Sequence, residues 1–168
     1  MADRTHILFL CVGNACRSQI AAGLIEVLAG DAFVAFSAGV RPAGLVHPLA
    51  KRVVGEVGGS LDDASSKGLE KFLGAGAPRI DIAVSLSRRA SRRYRTSRIG
   101  APLIEWPIAD PIAVEGNDED RLTAFRWVRD EICIRLEDAI AAGALVAKPR
   151  ASARRFEKLR SLFSDDKG

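Results

Sequence analysis

Residues 11–18 read Cys-Val-Gly-Asn-Ala-Cys-Arg-Ser, a stretch whose residue types can do chemistry on an anion. Cys11 is a nucleophile in its thiolate form, and a helix N-terminus or a guanidinium beside it favours that form. Arg17 presents a planar fork that pairs two oxyanion oxygens at once. Asn14 tolerates left-handed backbone angles and can bond across a loop, and Gly13 adds conformational freedom beside it. The segment Val12, Gly13, Asn14, Ala15, Cys16, Arg17 and Ser18 can turn successive backbone N–H groups into one concavity, a cradle for a phosphate-like group. A lone cysteine is also a small hydrophobe, and the spacing of Cys11 and Arg17 alone recurs by chance. The order strand, loop, arginine, helix separates a reactive thiol from a packed one.

A cradle of this kind needs a strand that ends and a helix that begins. Thr5–Leu10 is an apolar run of strand character, and Ser18–Gly30 has helical periodicity with Ile20, Leu24, Val27 and Leu28 on one side. Further on, strands are expected at Phe33–Ser37, Ile80–Leu86 and Pro102–Trp106, with helices at Pro48–Val57, Ser66–Leu73 and Asp118–Ala142. The last helix turns Leu122, Phe125, Val128, Ile132, Leu136 and Ile140 inward. Alternating strands and helices predict an α/β fold: a single doubly wound domain with a parallel sheet and helices on both faces. Ligands bind such sheets beyond the carboxyl ends of the strands, where residues 11–18 fall. Asp110 follows the fourth strand and reaches the same rim. Pro111 biases Asp110 away from helical angles; a plain Asp-Pro turn is the alternative. His47 before Pro48 reads as a helix-start residue.

Cys11–Ser18 resembles the phosphate-binding loop of the low-molecular-weight protein tyrosine phosphatases and the related thiol-dependent arsenate reductases. Ser37-Ala38-Gly39 and Asp110-Pro111 fall where that family has its next two landmarks, and the resemblance covers residues 5 to 142. It implies a four-stranded sheet and a covalent mechanism. Cys11 would attack the oxyanion, the loop and Arg17 would hold its oxygens, and Asp110 would supply the proton. Ser18 would donate to the thiolate, and Ser37 would brace Asn14; a solvated strand-end serine is the alternative. Cys16 would form a reversible disulfide with Cys11, or is a small apolar loop residue.

Two branches of that family compete. Gln19 stands where phosphatases usually carry Pro, no aromatic follows Pro111 in Ile112–Gly116, and Phe125–Ile132 looks reductase-like. Against this, thioredoxin-coupled reductases relay electrons through two further cysteines after the third strand, and Ser85–Arg95 holds none. Phosphomonoester hydrolysis needs only Cys11, Arg17, Asp110 and water. A phosphatase therefore ranks first. An arsenate reductase using an external thiol, thioredoxin or glutaredoxin is the alternative, and a non-catalytic phosphate-binding regulator is the third.

Composition sets the frame. The chain has 168 residues, 48% hydrophobic and 27% charged, which suits one domain, residues 1–146, followed by a basic amphipathic tail, 147–168. The tail places Phe156, Leu159, Leu162 and Phe163 at helical spacing among basic residues, and packing, a partner or an anionic surface are all open to it. Three cysteines, no signal-like start and no membrane-length apolar run fit a cytoplasmic enzyme. Cysteine spacing and only two histidines suggest no metal site, and no cofactor is expected. The net charge of +4 favours phosphorylated or other oxyanion substrates, and no nucleic-acid motif accompanies it. Arg88, Arg89, Arg92, Arg93, Arg95 and Arg98 form a cluster that reads as a steering or docking surface, or as a solvated basic face. Cys133 reads as inert packing.

Overall fold

The structure is a computed structural model, and residues 3–146 are described. The expected tail, 147–168, lies outside them. Four parallel strands, β1 (Thr5–Cys11), β2 (Phe33–Gly39), β3 (Ile82–Ser85) and β4 (Leu103–Glu105), form one sheet in the order β2-β1-β3-β4. The helices are α1 (Arg17–Ala29), α2 (Pro48–Gly55), α3 (Arg88–Arg95) and α4 (Asp118–Ala141).

Strand alternation divides the core. Ile7 and Phe9 of β1 pack with Ile20, Leu24, Val53, Phe125 and Ile132 from α1, α2 and α4. Leu8 and Leu10 point the other way, onto Ala90 and Tyr94 of α3 and onto Leu69 and Phe72. All four β1 side chains are fully buried, each contributing roughly 1.5–3 kcal/mol by removal from water. The doubly wound sheet with helices on both faces is therefore as expected. Because β2 lies on one side of β1 and β3 on the other, the chain reverses direction of travel at the carboxyl end of β1, the place where such sheets take ligands.

Helix ends follow local chemistry. At α4, Asn117 and Asp120 cap each other reciprocally, and Asp118, Glu119 and Asp120 put negative charge on the first turn. At α2, the His47 ring nitrogen accepts from Leu49 N–H at 3.1 Å and Pro48 opens the first turn, so His47 is the helix-start residue its position suggests. Glu56, just beyond α2, accepts from Arg126 and Arg129 at 2.7 and 2.8 Å and ties α2 to α4.

Several expectations are corrected. The helix expected over Ser66–Leu73 is only a 3-10 turn at Leu69–Phe72, because Gly68 before it and Gly74 after it interrupt a continuous helix. The Pro48–Val57 helix stops at Gly55, and Val57 is exposed. On α1, Val27 is exposed while Ile25 is buried, so the inward stripe runs through Ile20, Ala21, Leu24 and Ile25. The arginine cluster, apart from Arg98, lies on a helix, α3. Its burial rests on Ala90, Ser91 and Tyr94, too small or too polar to register as a periodic apolar stripe.

Candidate active site

Residues 11–16 join β1 to α1, and the destination of their carbonyls defines the loop. Cys11 O accepts from Val40 N, Val12 O from Arg41 N, Gly13 O from Ala43 N, Ala15 O from His47 N and Cys16 O from Ile20 N. Gly13 O also takes the Ser66 hydroxyl, and Asn14 O takes Gln19 Nε2 at 3.1 Å. Every carbonyl from Cys11 to Cys16 is thus engaged by the surrounding protein. A trans peptide sets its N–H opposite its C=O, and none of the described residues has a cis bond. The N–H groups of residues 12–17 therefore turn away from those partners toward the inside of the loop. Asn14 N–H shows this directly, donating to Cys11 Sγ at 3.2 Å. The start of α1 adds its positive dipole end to the same concavity.

Cys11 is buried on the loop floor, its sulfur 2.9 Å from Ser18 Oγ. Asn14 Nδ2 donates to Ser18 Oγ at 2.8 Å, so the serine oxygen already accepts one bond and its proton can be turned to the sulfur. Asn14, not Gly13, adopts the left-handed backbone, at φ 48°. Gly13 keeps a negative φ and meets only ordinary contacts at its Cβ position. The sterically required glycine is Gly39: a Cβ there would come within 2.7 Å of Val12 O and 2.8 Å of Asn14 N.

The expected brace from Ser37 to Asn14 is not formed. Asn14 Oδ1 instead accepts from Gln19 Nε2 at 3.0 Å and Lys67 N at 2.9 Å. Ser37 Oγ accepts from Lys67 Nζ at 3.3 Å. The Lys67 ammonium lies partly out of water, and burial lowers its pKa. Gln19 and the 65–67 segment are the supporting residues that the sequence did not single out for this task. Lys67 lies 53 positions from Asn14 and contributes a backbone N–H, which no residue type advertises.

Arg17 reaches across the rim. It donates to Ile108 O at 2.8 Å and to Asp110 Oδ2 at 3.0 Å, linking the loop to the segment after β4. Asp110 Oδ1 accepts from Ile112 N at 3.2 Å, and Pro111 opens a short turn behind it. The Asp110 side chain is 41% exposed against 8% for Arg17, so the carboxyl meets solvent while it holds the guanidinium. The structure thus brings Cys11, Arg17, Ser18 and Asp110 together. Cys16 occupies the turn into α1 with its side chain in the core; burial first, then the charge of Asp110, pushes its thiol pKa up. Cys133 is on α4, packed beside the core, its thiol also raised by burial. After β3, Ser85 Oγ donates to Ser87 O at 2.8 Å and Ser91 Oγ to the same carbonyl at 3.2 Å.

A family model described as low molecular weight phosphotyrosine protein phosphatase matches residues 6–148. An arsenate reductase of Halalkalibacterium halodurans is 33% identical over 141 residues, covering 84% of this chain and 99% of that protein. One of Bacillus subtilis is 32% identical over 137 residues, covering 82% and 96%. Among solved structures, an arsenate reductase in a phosphate-binding state is similar with a TM-score of 0.64 at 28% identity, covering 82% of this chain and 98% of that one. An arginine phosphatase from Geobacillus stearothermophilus is similar with a TM-score of 0.65 at 25% identity, covering 84% and 96%.

Proposed function

The chain belongs to the low-molecular-weight phosphotyrosine protein phosphatase family, and from that premise we propose that it is a cysteine-dependent phosphatase acting on phosphomonoesters. The observation that carries this is the outward engagement of every carbonyl from Cys11 to Cys16, which leaves a ring of N–H donors around the Cys11 sulfur. Such a ring is complementary to the equatorial oxygens of a phosphoryl group in transfer.

The steps follow from what surrounds the sulfur. Cys11 Sγ attacks phosphorus, a sulfur–phosphorus bond forms, and the ester oxygen departs. Asp110, at the opening, gives that oxygen its proton. Asp110, now a carboxylate, takes a proton from a water that attacks the phosphocysteine. The sulfur leaves as thiolate, with Ser18 donating to it, and inorganic phosphate is released. Arg17 pairs with the phosphoryl oxygens, and its bonds to Ile108 O and Asp110 pre-set its fork at the rim.

The relatives named arsenate reductases favour a second reading. There Cys11 attacks arsenic, and the two electrons that convert arsenate to arsenite come from external thiols, which become a disulfide. Ser85 and Ser87 offer hydroxyls after β3, and a hydroxyl cannot carry those electrons. Thioredoxin or glutaredoxin belongs to this reading alone, as reductant of the thiol-bound adduct. One assay separates the two. The purified full chain is given p-nitrophenyl phosphate, and separately arsenate with glutathione, mycothiol or a thioredoxin system. Phosphate release, with arsenate turnover no faster than thiol and arsenate alone, supports the phosphatase. Thiol-dependent arsenite formation without phosphatase activity overturns it.

A further inference from the structure

The proposed chemistry leaves the other end of the sheet unused, and a cavity of about 620 Å³ lies there. Its walls come from the segments that lead into β3 and β4, at residues 72–80 and 93–99. It therefore opens at the amino ends of the strands, about a strand's length from the Cys11 loop. The volume lies within the range of built small-molecule sites and far exceeds what a bare oxyanion fills.

Two independent features give the cavity a chemical character. The first is charge. Its charged lining is Arg79, Arg93 and Arg98. Arg79 is held by Asp3 and Asp81 at 2.9 and 3.1 Å. Arg93 donates only to the Thr96 hydroxyl, at 3.3 Å, and among the described residues neither Arg93 nor Arg98 is in an ion pair. Arg93, in the last turn of α3, complements that helix's dipole; Arg98 lies beyond the helix and has no such role. The second feature is Ser97, another lining residue. Its hydroxyl is sequestered from water with no hydrogen-bond partner, the only such side-chain atom among the described residues. Turning about χ1 would cost that hydroxyl no bond. The remaining wall is apolar: Phe72, Leu73, Ile80 and Ile99.

We propose that this cavity is a second, non-catalytic site for a small organic phosphate. Arg93 and Arg98 hold the phosphate group, with the unpartnered Ser97 hydroxyl as a further donor, and Phe72, Ile80 and Ile99 pack against the organic body. Paired guanidinium forks match the several oxygens of a dianion. The site is independent of the Cys11 loop and of any turnover there.

Phenylphosphonate, which is not hydrolysed, tests this by site-resolved amide NMR on the full chain. The expected result is saturable shifts at the amides of Ala77, Ser97 and Ile99, separate from those of residues 12–17. Inorganic phosphate shifts the same amides at least about tenfold more weakly, because it lacks the body. Arg93→Ala combined with Arg98→Ala weakens phenylphosphonate there by about tenfold or more. Both side chains are exposed, so the variant folds, and an otherwise overlaying spectrum checks this. Ser97→Ala weakens it severalfold. No saturable shift at these amides, equal response to inorganic phosphate, or full binding in the double variant overturns the site.

Discussion

Asn14→Ala tests how the loop is held. Asn14 is fully buried and stands at φ 48°, where an alanine pays roughly 1–2 kcal/mol. Its side chain also serves three partners: Ser18 Oγ, Gln19 Nε2 and Lys67 N–H. Gln19 keeps Asn14 O and Ser65 O, and Ser18 keeps the Cys11 sulfur. The Lys67 amide has no replacement in these contacts, and an orphaned buried donor costs about 1–3 kcal/mol. The sum is about 2–5 kcal/mol, a large share of an ordinary domain's stability. At roughly 2–4 °C per kcal/mol for a chain this size, Tm falls by roughly 10 °C. The assay is urea and thermal unfolding of wild type, Asn14→Ala and Asn14→Gly. The glycine variant loses the same bonds without the left-handed strain, so it lies up to about 1 kcal/mol closer to wild type. Phosphate affinity falls in both, since Asn14 also fixes the amide that faces Cys11. A loss below 1 kcal/mol in Asn14→Ala refutes the bracing scheme.

Other outcomes follow from the same contacts. Asp110→Asn keeps an acceptor for Ile112 N–H, so the turn survives; turnover of aryl phosphates slows by about 10²–10⁴, and more as the leaving group becomes more basic. A loss independent of leaving-group pKa assigns Asp110 to the turn alone. Peroxide inactivates the enzyme and a small thiol restores it through a Cys11–Cys16 disulfide, with Cys16→Ala recovering less; peptide mapping without that linkage makes Cys16 packing only. The Arg126 and Arg129 guanidiniums hold the Glu56 carboxyl down to about 2 from an ordinary 4.5. Its folded pKa is depressed, so its contribution is complete above pH 4.5 and is lost as pH falls through about 2. The Tm gap between wild type and Glu56→Gln is therefore constant at neutral pH and closes near pH 2; a gap that widens on acidification contradicts this.

The loop at residues 11–18 was legible because one short segment carries a thiol, an arginine and the turn between strand and helix. The buried strands announced themselves as apolar runs, and the doubly wound parallel sheet followed from their alternation with helices. What escaped was contact between distant segments. Asn14 is braced by Gln19 and the Lys67 backbone, not by Ser37, and only three-dimensional pairing decides which polar group fills an amide's valence. Asn14 takes the left-handed backbone that its residue type allows, whereas Gly13, the freer residue beside it, keeps a negative φ, and Gly39 provides the close approach. Helix α3 was hidden by its own arginines: only Ala90, Ser91 and Tyr94 face inward, and none forms an apolar stripe. The Ser66–Leu73 segment failed in the opposite direction, since its apolar spacing could not overcome flanking glycines.

The proposed phosphatase chemistry requires that the Cys11 sulfur itself take up the phosphoryl group. Rapid acid quench of the full chain during turnover of an aryl phosphate, followed by peptide mass spectrometry, measures it directly. One phosphoryl group is expected on the peptide containing Cys11, enriched in Asp110→Asn when a good leaving group lets the first step proceed, and absent in Cys11→Ser together with turnover. Steady phosphate release by Cys11→Ser at the wild-type rate would contradict it.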